Sequence, residues 1–114
     1  MPSDLLLKQT AFSRMLVRLL QKAHDLGYEV TLGEAYRPPE QAAANAAKGV
    51  GIRNSLHILR LAVDLNLFRD GQYLSSTESH RPLGEYWESI GGSWGGRFSK
   101  PDGNHYSLEY NGVR

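Results

Sequence analysis

Leu61-Ala62-Val63-Asp64-Leu65-Asn66-Leu67-Phe68 alternates strictly between two kinds of residue, and this stretch decides the fold. In an extended chain Leu61, Val63, Leu65 and Leu67 fall on one side, and Ala62, Asp64, Asn66 and Phe68 on the other, which is the period of a half-buried strand. The first side is a core layer. The second carries the Asp64 carboxylate between small or polar neighbours, pointing away from the main apolar layer. Asp70-Gly71 comes two residues later and signals a tight hairpin, with Gln72 to Leu74 as the return strand.

Working outward, Tyr28, Val30 and Leu32 alternate with Glu29, Thr31 and Gly33, which predicts a second strand over 28–34 that delivers Arg37 beyond its far end. Before it, Ser3 or Asp4 can cap a helix whose apolar stripe runs through Phe12, Met15 or Leu16, Leu19 or Leu20, Ala23 and Leu26, with Gly27 ending it. Pro38 and Pro39 stop the strand, and the Ala-rich stretch from Glu40 to Lys48 predicts a short second helix closed by Gly49. Residues 49–60 read as a loop. Downstream, Leu83, Tyr86, Trp87 and Ile90 stand at helical spacing within a predicted helix over 79–90, closed by Gly91-Gly92. A loop over 93–104 then leads to a last alternating strand, His105 to Tyr110. This order predicts an α+β fold, a small antiparallel sheet with helices packed on it, with residues 1–114 as one domain.

Composition agrees with a folded chain. It has 114 residues, 40% of them hydrophobic, and no cysteine. A chain of this size buries roughly two-thirds of its extended surface, enough for a core without disulfides. Thirteen Lys and Arg against twelve Asp and Glu leave a net charge of +1. The isoelectric point of 8.1 lies below the roughly 9 that marks a nucleic-acid binder, so no nucleic-acid partner is expected. Charges interrupt every hydrophobic segment short of the roughly 18 residues that a membrane span needs, so no membrane insertion is expected.

Any metal site must use His, Asp or Glu. Of the four histidines, His57 precedes Asp64 in Ser55-x-His57, Ala62-x-Asp64, and His105 follows Asp102 in Asp102-Gly103-Asn104-His105. A catalytic zinc takes three N or O ligands and leaves one position open, and His57, Asp64 and His105 satisfy that rule if the last strand lies beside the Asp64 strand. Spacing alone also admits surface or hydrogen-bonded histidines. His24, in the last turn of the first helix, reads as a solvated residue favourable to the helix C-terminus, and His80 as a surface histidine. Trp94 reads equally as a core aromatic in a turn.

The order Tyr36-Arg37-Pro38-Pro39-Glu40-Gln41, Ser55-x-His57, Ala62-x-Asp64, Trp94-Gly95-Gly96 and Asp102-x-x-His105 resembles the LAS metallopeptidases. These are the VanY-like D-alanyl-D-alanine carboxypeptidases, related dipeptidases, and phage endolysins that cut the L-alanyl-D-glutamate bond of peptidoglycan. The resemblance runs from about Phe12 to Leu108. It implies one Zn2+ per chain held by His57, Asp64 and His105, a catalytic carboxylate at Asp102, and a substrate- or transition-state-binding arginine at Arg37. Ser55 and Gln41 carry over as further substrate-side positions, Ser55 as polar support beside the metal and Gln41 as scaffold or substrate contact. The short chain, Trp94-Gly95-Gly96 and an Asp before the last histidine look most like the phage endopeptidases. The implied fold is Hedgehog/DD-peptidase-like, and a non-catalytic zinc-containing wall-binding module is the rival of another class.

The implied partner is a peptidoglycan stem peptide, met by a monomer. Leu5-Leu6-Leu7 is too short for a signal-peptide core, so the expected route is accumulation in the cytoplasm of a bacterial host and action on the wall after release, or carriage on a virion. Three positions depart from the family pattern. Arg60 stands where glycine is usual, and carries strain if that position has a positive φ. Ser107 stands where an acidic residue often follows the last histidine. Arg97 replaces an acidic residue after Trp94-Gly95-Gly96, with an expected effect on substrate preference at the cleft.

Overall fold

The computed structural model describes residues 3–38, 40–41 and 55–114. Helix α1 spans Asp4–Asp25. Ser3 caps it, its hydroxyl accepting the Leu6 amide at 3.1 Å, while Asp4 at the start and Lys22 and His24 at the end complement the helix dipole. The chain leaves it through a left-handed Gly27 (φ +86°). There the Tyr28 amide reaches back to the Ala23 carbonyl and the Gly27 amide to that of His24, a Schellman closure. The predicted stripe is the buried one: Phe12, Leu19 and Ala23 point inward.

The sheet is built around the strand read first. Strand β1 is Glu29–Leu32, β2 is Ala62–Arg69, and β3 is Gln72–Leu74. Asp70 and Gly71 between β2 and β3 both have positive φ, 52° and 78°, as a type I′ hairpin requires. Helix α2 spans Thr77–Ser89, followed by β4 (Ser93–Trp94), a 3₁₀ turn over Gly95–Arg97, and β5 (His105–Ser107). All pairings are antiparallel, in the order β1-β2-β5-β4 with β3 also against β2. The first half of β2 pairs with β5 and the second half with β1 and β3, so β2 is the common member.

The core lies on the leucine side of β2. Leu61, Val63, Leu65 and Leu67 are fully buried, joined by Leu19, Leu83, Trp87, Trp94 and Tyr106. Phe12 of α1 meets Trp87 of α2 edge-on at 5.7 Å, and Trp87 meets Tyr106 of β5 at 6.2 Å. The Trp87 indole donates to the Ser107 carbonyl at 2.8 Å, so burying this large side chain leaves its N–H satisfied. Among the described residues, no helix is long and apolar enough to cross a membrane.

Several boundaries and one residue differ from the sequence reading. Helix α2 begins two residues before the predicted start, because Ser76 takes the cap and accepts the Ser79 amide. The last strand ends at Ser107 and not at Tyr110, which forms an isolated bridge with Val113 instead. Of the predicted helix over 40–48, Glu40 and Gln41 are helical and the rest lies outside the described residues, as does most of the loop that follows. His80 is not a surface histidine. It is 2% exposed, and its Nδ1 lies 2.7 Å from the Tyr106 hydroxyl.

Burial opposes the charged imidazolium and lowers the His80 pKa from 6.5 to about 4. Above 6.5 the residue is neutral folded or unfolded. Between 6.5 and 4 the unfolded chain binds the proton and the folded one does not, so stability falls as the pH falls. Urea titrations at pH 7 and pH 4.5 should therefore show wild type losing about 2–3 kcal/mol more than His80→Gln. Equal losses in the two proteins would show that His80 charges freely inside the fold.

Candidate metal centre

Asp64 and His105 stand directly opposite each other on β2 and β5. The Asp64 backbone turns its hydrogen bonds the other way, its N–H to the Glu34 carbonyl (2.9 Å) and its carbonyl to the Gly33 amide (2.8 Å). The Asp64–His105 pair is therefore a non-hydrogen-bonded one, the arrangement that brings facing side chains closest. Both side chains leave the sheet on the side away from the leucine layer. His57 arrives from the turn before β2, where the Leu59, Arg60 and Leu61 amides close back on the Leu56 and His57 carbonyls. Ser55 is buried, and its hydroxyl accepts the His57 amide at 3.2 Å, so it holds this turn.

His57 Nε2 lies 3.4 Å and His105 Nδ1 3.6 Å from the same oxygen, Asp64 Oδ1. One ligand atom from each of the three residues lies within 4.8 Å of the others. Ligands bound tetrahedrally at about 2.0–2.2 Å from one ion lie about 3.3–3.6 Å apart, so the separations at Asp64 suit a single ion. Asp64 Oδ1 is buried and has no hydrogen-bond partner among the described residues. Such an atom is costly to leave unpaired, and a cation between the three residues satisfies it. Burial alone would raise the Asp64 pKa, but the two imidazoles facing it outweigh that and bring it down to about 2. The donor set is thus two imidazole nitrogens and one ionised carboxylate, which fits zinc.

Asp102 precedes β5, in a loop fixed by backbone bonds. Its amide donates to the Gly95 carbonyl (2.9 Å), and its own carbonyl accepts the His105 amide (3.1 Å). A Cβ on Gly95 would stand 2.2 Å from the Asp102 carbonyl oxygen and 2.8 Å from His105 Cβ, so only glycine fits there. Trp94 is a core aromatic, but at the end of β4 opposite Tyr106 and not in a turn, and it donates its indole N–H to the Gly103 carbonyl at 2.7 Å. Trp94-Gly95-Gly96 therefore holds the Asp102–His105 loop in place. Burial and the nearby Asp64 charge raise the Asp102 pKa against the opposing pull of His105 and His57. Phe98 walls the other side of His105, their rings 5.4 Å apart.

Arg37 is half-buried beside His57. Its amide donates to the His57 carbonyl at 3.2 Å, and its Nε donates to Glu34 Oε1 at 2.8 Å. Glu34 was not singled out from the sequence. The signal available was an acidic residue at the end of the β1 stretch, three before Arg37. Gln41 lies further along, its amide donating to the Pro38 carbonyl at 3.0 Å, with its side chain exposed.

The departures from the family pattern also find their places. Arg60 has φ +57° and lays its guanidinium 3.9 Å from the centre of the Tyr36 ring, a cation–π contact. Ser107 points its hydroxyl at the Ser93 carbonyl (3.4 Å), and the outer His105 nitrogen, Nε2, has no hydrogen-bond partner among the described residues. Arg97 makes paired 3.0 Å contacts to Glu88 on α2, so its charge is engaged there.

With the site assembled, comparison with known proteins decides the family. A family model described as D-alanyl-D-alanine carboxypeptidase matches residues 48–108, more than half of the chain. The chain belongs to the D-alanyl-D-alanine carboxypeptidase family. It is therefore a hydrolase of the peptidase class. Among solved structures, it is similar to the Serratia marcescens L-Ala D-Glu endopeptidase ChiX, at TM-score 0.68 and 19% identity over 82% of this chain and 77% of that one. It is also similar to a vancomycin-resistance D,D-pentapeptidase VanY from a VanB-type cassette, solved in complex with Zn(II). That match has a TM-score of 0.61 and 24% identity over 86% of this chain and 70% of that one. The two likenesses establish the shared fold. No curated protein sequence gives a significant match.

Two substitutions separate strain from stacking at position 60. Both Arg60→Gly and Arg60→Ala lose the contact with Tyr36, but only glycine relieves the positive φ. Thermal or urea unfolding should find Arg60→Gly more stable than Arg60→Ala by about 1 kcal/mol. Equal stabilities would show that the backbone there relaxes at no cost.

Proposed function

We propose that the chain is a zinc peptidase acting on peptidoglycan stem peptides at the L-alanyl-D-glutamate bond, as in a phage endolysin. One observation carries the reading: a buried carboxylate oxygen with no hydrogen-bond partner among the described residues is faced by two imidazole nitrogens, and the Asp102 carboxyl, its pKa raised by burial and by the Asp64 charge, lies within electrostatic reach. Retention of a metal alone would not call for Asp102 or Arg37.

His57 Nε2, Asp64 Oδ1 and His105 Nδ1 would hold the zinc, which when bound supplies Lewis acidity toward a carbonyl and an attacking water. Asp102, whose proton affinity is raised by burial and by the nearby Asp64 charge, takes the proton from the attacking water as the carboxylate and returns it to the leaving amine. A pKa raised above that of an ordinary carboxylate suits both halves of that transfer. Arg37 has one edge of its guanidinium fixed by Glu34 and offers its remaining N–H groups to the developing oxyanion or to a substrate carboxylate.

The choice of bond rests on the sequence likeness to the phage endopeptidases. The family description favours a second reading, cleavage at a D-alanyl-D-alanine terminus by the same groups. Digestion of purified peptidoglycan followed by analysis of new termini tests both: fresh N-terminal D-Glu is expected, free D-Ala would give the second reading, and wall binding with neither product would make the chain a non-catalytic module. Asp102→Asn should keep zinc near one per chain by elemental analysis while hydrolysis falls about 10²–10⁴-fold. Loss of zinc from that variant would make Asp102 a ligand, and full activity would remove it from the mechanism.

A further inference from the structure

Glu34 reaches three residues of the centre: Asp64, Arg37 and His57. Its backbone carbonyl accepts the Asp64 amide at 2.9 Å. Its Oε1 accepts Arg37 Nε at 2.8 Å and lies 3.8 Å from His57 Nδ1, longer than a hydrogen bond and within electrostatic reach. That His57 nitrogen is buried and lacks a hydrogen-bond partner among the described residues. The opposite nitrogen, Nε2, faces Asp64. For Nε2 to offer its lone pair to a metal, the ring proton must sit on Nδ1, and the charged group facing Nδ1 is the Glu34 carboxylate.

Histidines that bind metals commonly have their second nitrogen held by a carboxylate, which fixes the tautomer and strengthens the ligand. We propose that Glu34 is a positioning residue whose one carboxylate holds His57 in its metal-binding tautomer and fixes Arg37 at the same time. The inference rests on the zinc reading above. It gives the metal ligand and the substrate-binding arginine a common anchor at the end of β1. It also puts a negative charge against the Arg37 guanidinium, which offsets part of the repulsion that a nearby cation would exert on it. The two demands compete for the same oxygen, Oε1. Removing the arginine therefore leaves Glu34 freer to serve His57.

The test measures zinc affinity by competition with a chromophoric chelator, apart from any activity. Glu34→Ala should weaken zinc binding about 10–100-fold, and Glu34→Gln, which keeps the shape and loses the charge, about tenfold. Arg37→Ala should bind zinc as tightly as wild type or more tightly, although it hydrolyses peptidoglycan slowly. Nitrogen-15 spectra of the metal-free protein should show His57 protonated at Nδ1 in wild type and a mixture of tautomers in Glu34→Ala. Should Glu34→Ala fail to fold, Glu34→Gln carries the test. Zinc affinities of the Glu34 variants equal to wild type overturn the inference and leave the zinc reading standing. So does an Arg37→Ala protein that loses zinc as the Glu34 variants do. A wild-type chain that takes up no zinc overturns both.

Discussion

The cross-strand pair Asp64–His105 is the constraint on which the rest of the structure depends. Strand β2 has to satisfy two demands at once. Its odd positions, Val63, Leu65 and Leu67, must face the helices, so Asp64 must face the other way. The pairing of β5 then decides what Asp64 meets. A register shifted by one residue would put His105 into the core and Tyr106 over the carboxylate. The observed register is held by Tyr106, buried against Trp87 and His80, and by the Leu65 amide bonded to the Asn104 carbonyl. Core packing on one face of the sheet thus sets the metal centre on the other.

The supports of the centre are mostly backbone. The turn carrying His57 is closed by main-chain bonds and by the buried Ser55 hydroxyl. The loop carrying Asp102 is closed on Gly95 and tied by the Trp94 indole. The chain segments that carry His57 and Asp102 are therefore held by groups with no chemistry of their own. A site organised this way keeps its geometry before a metal arrives, which limits the ordering needed on binding.

Much of this was legible in the sequence because strand alternation and antiparallel pairing are local rules. The eight-residue alternation of 61–68 put Asp64 on its face, and the Asp70-Gly71 turn fixed the hairpin. The ligand residues were reachable from donor chemistry and motif order, since a chain without cysteine has few other choices. What stayed hidden depends on contacts distant in sequence. His80 looked exposed because helix periodicity carries no record of Tyr106, 26 residues further on. Glu34 carried no motif of its own, and its part follows from a strand end that folds against His57. Trp94-Gly95-Gly96 was readable as a motif, but its task of clearing space for the Asp102 carbonyl required the close approach itself.

The central claim is that one zinc sits between His57, Asp64 and His105. Crystals of the zinc-loaded protein, with data collected on both sides of the zinc absorption edge, test it directly. The account predicts a single anomalous peak in contact with His57 Nε2, Asp64 Oδ1 and His105 Nδ1, with Asp102 outside bonding distance. A peak that lacks any of these three contacts, or no peak in fully loaded crystals, would contradict it.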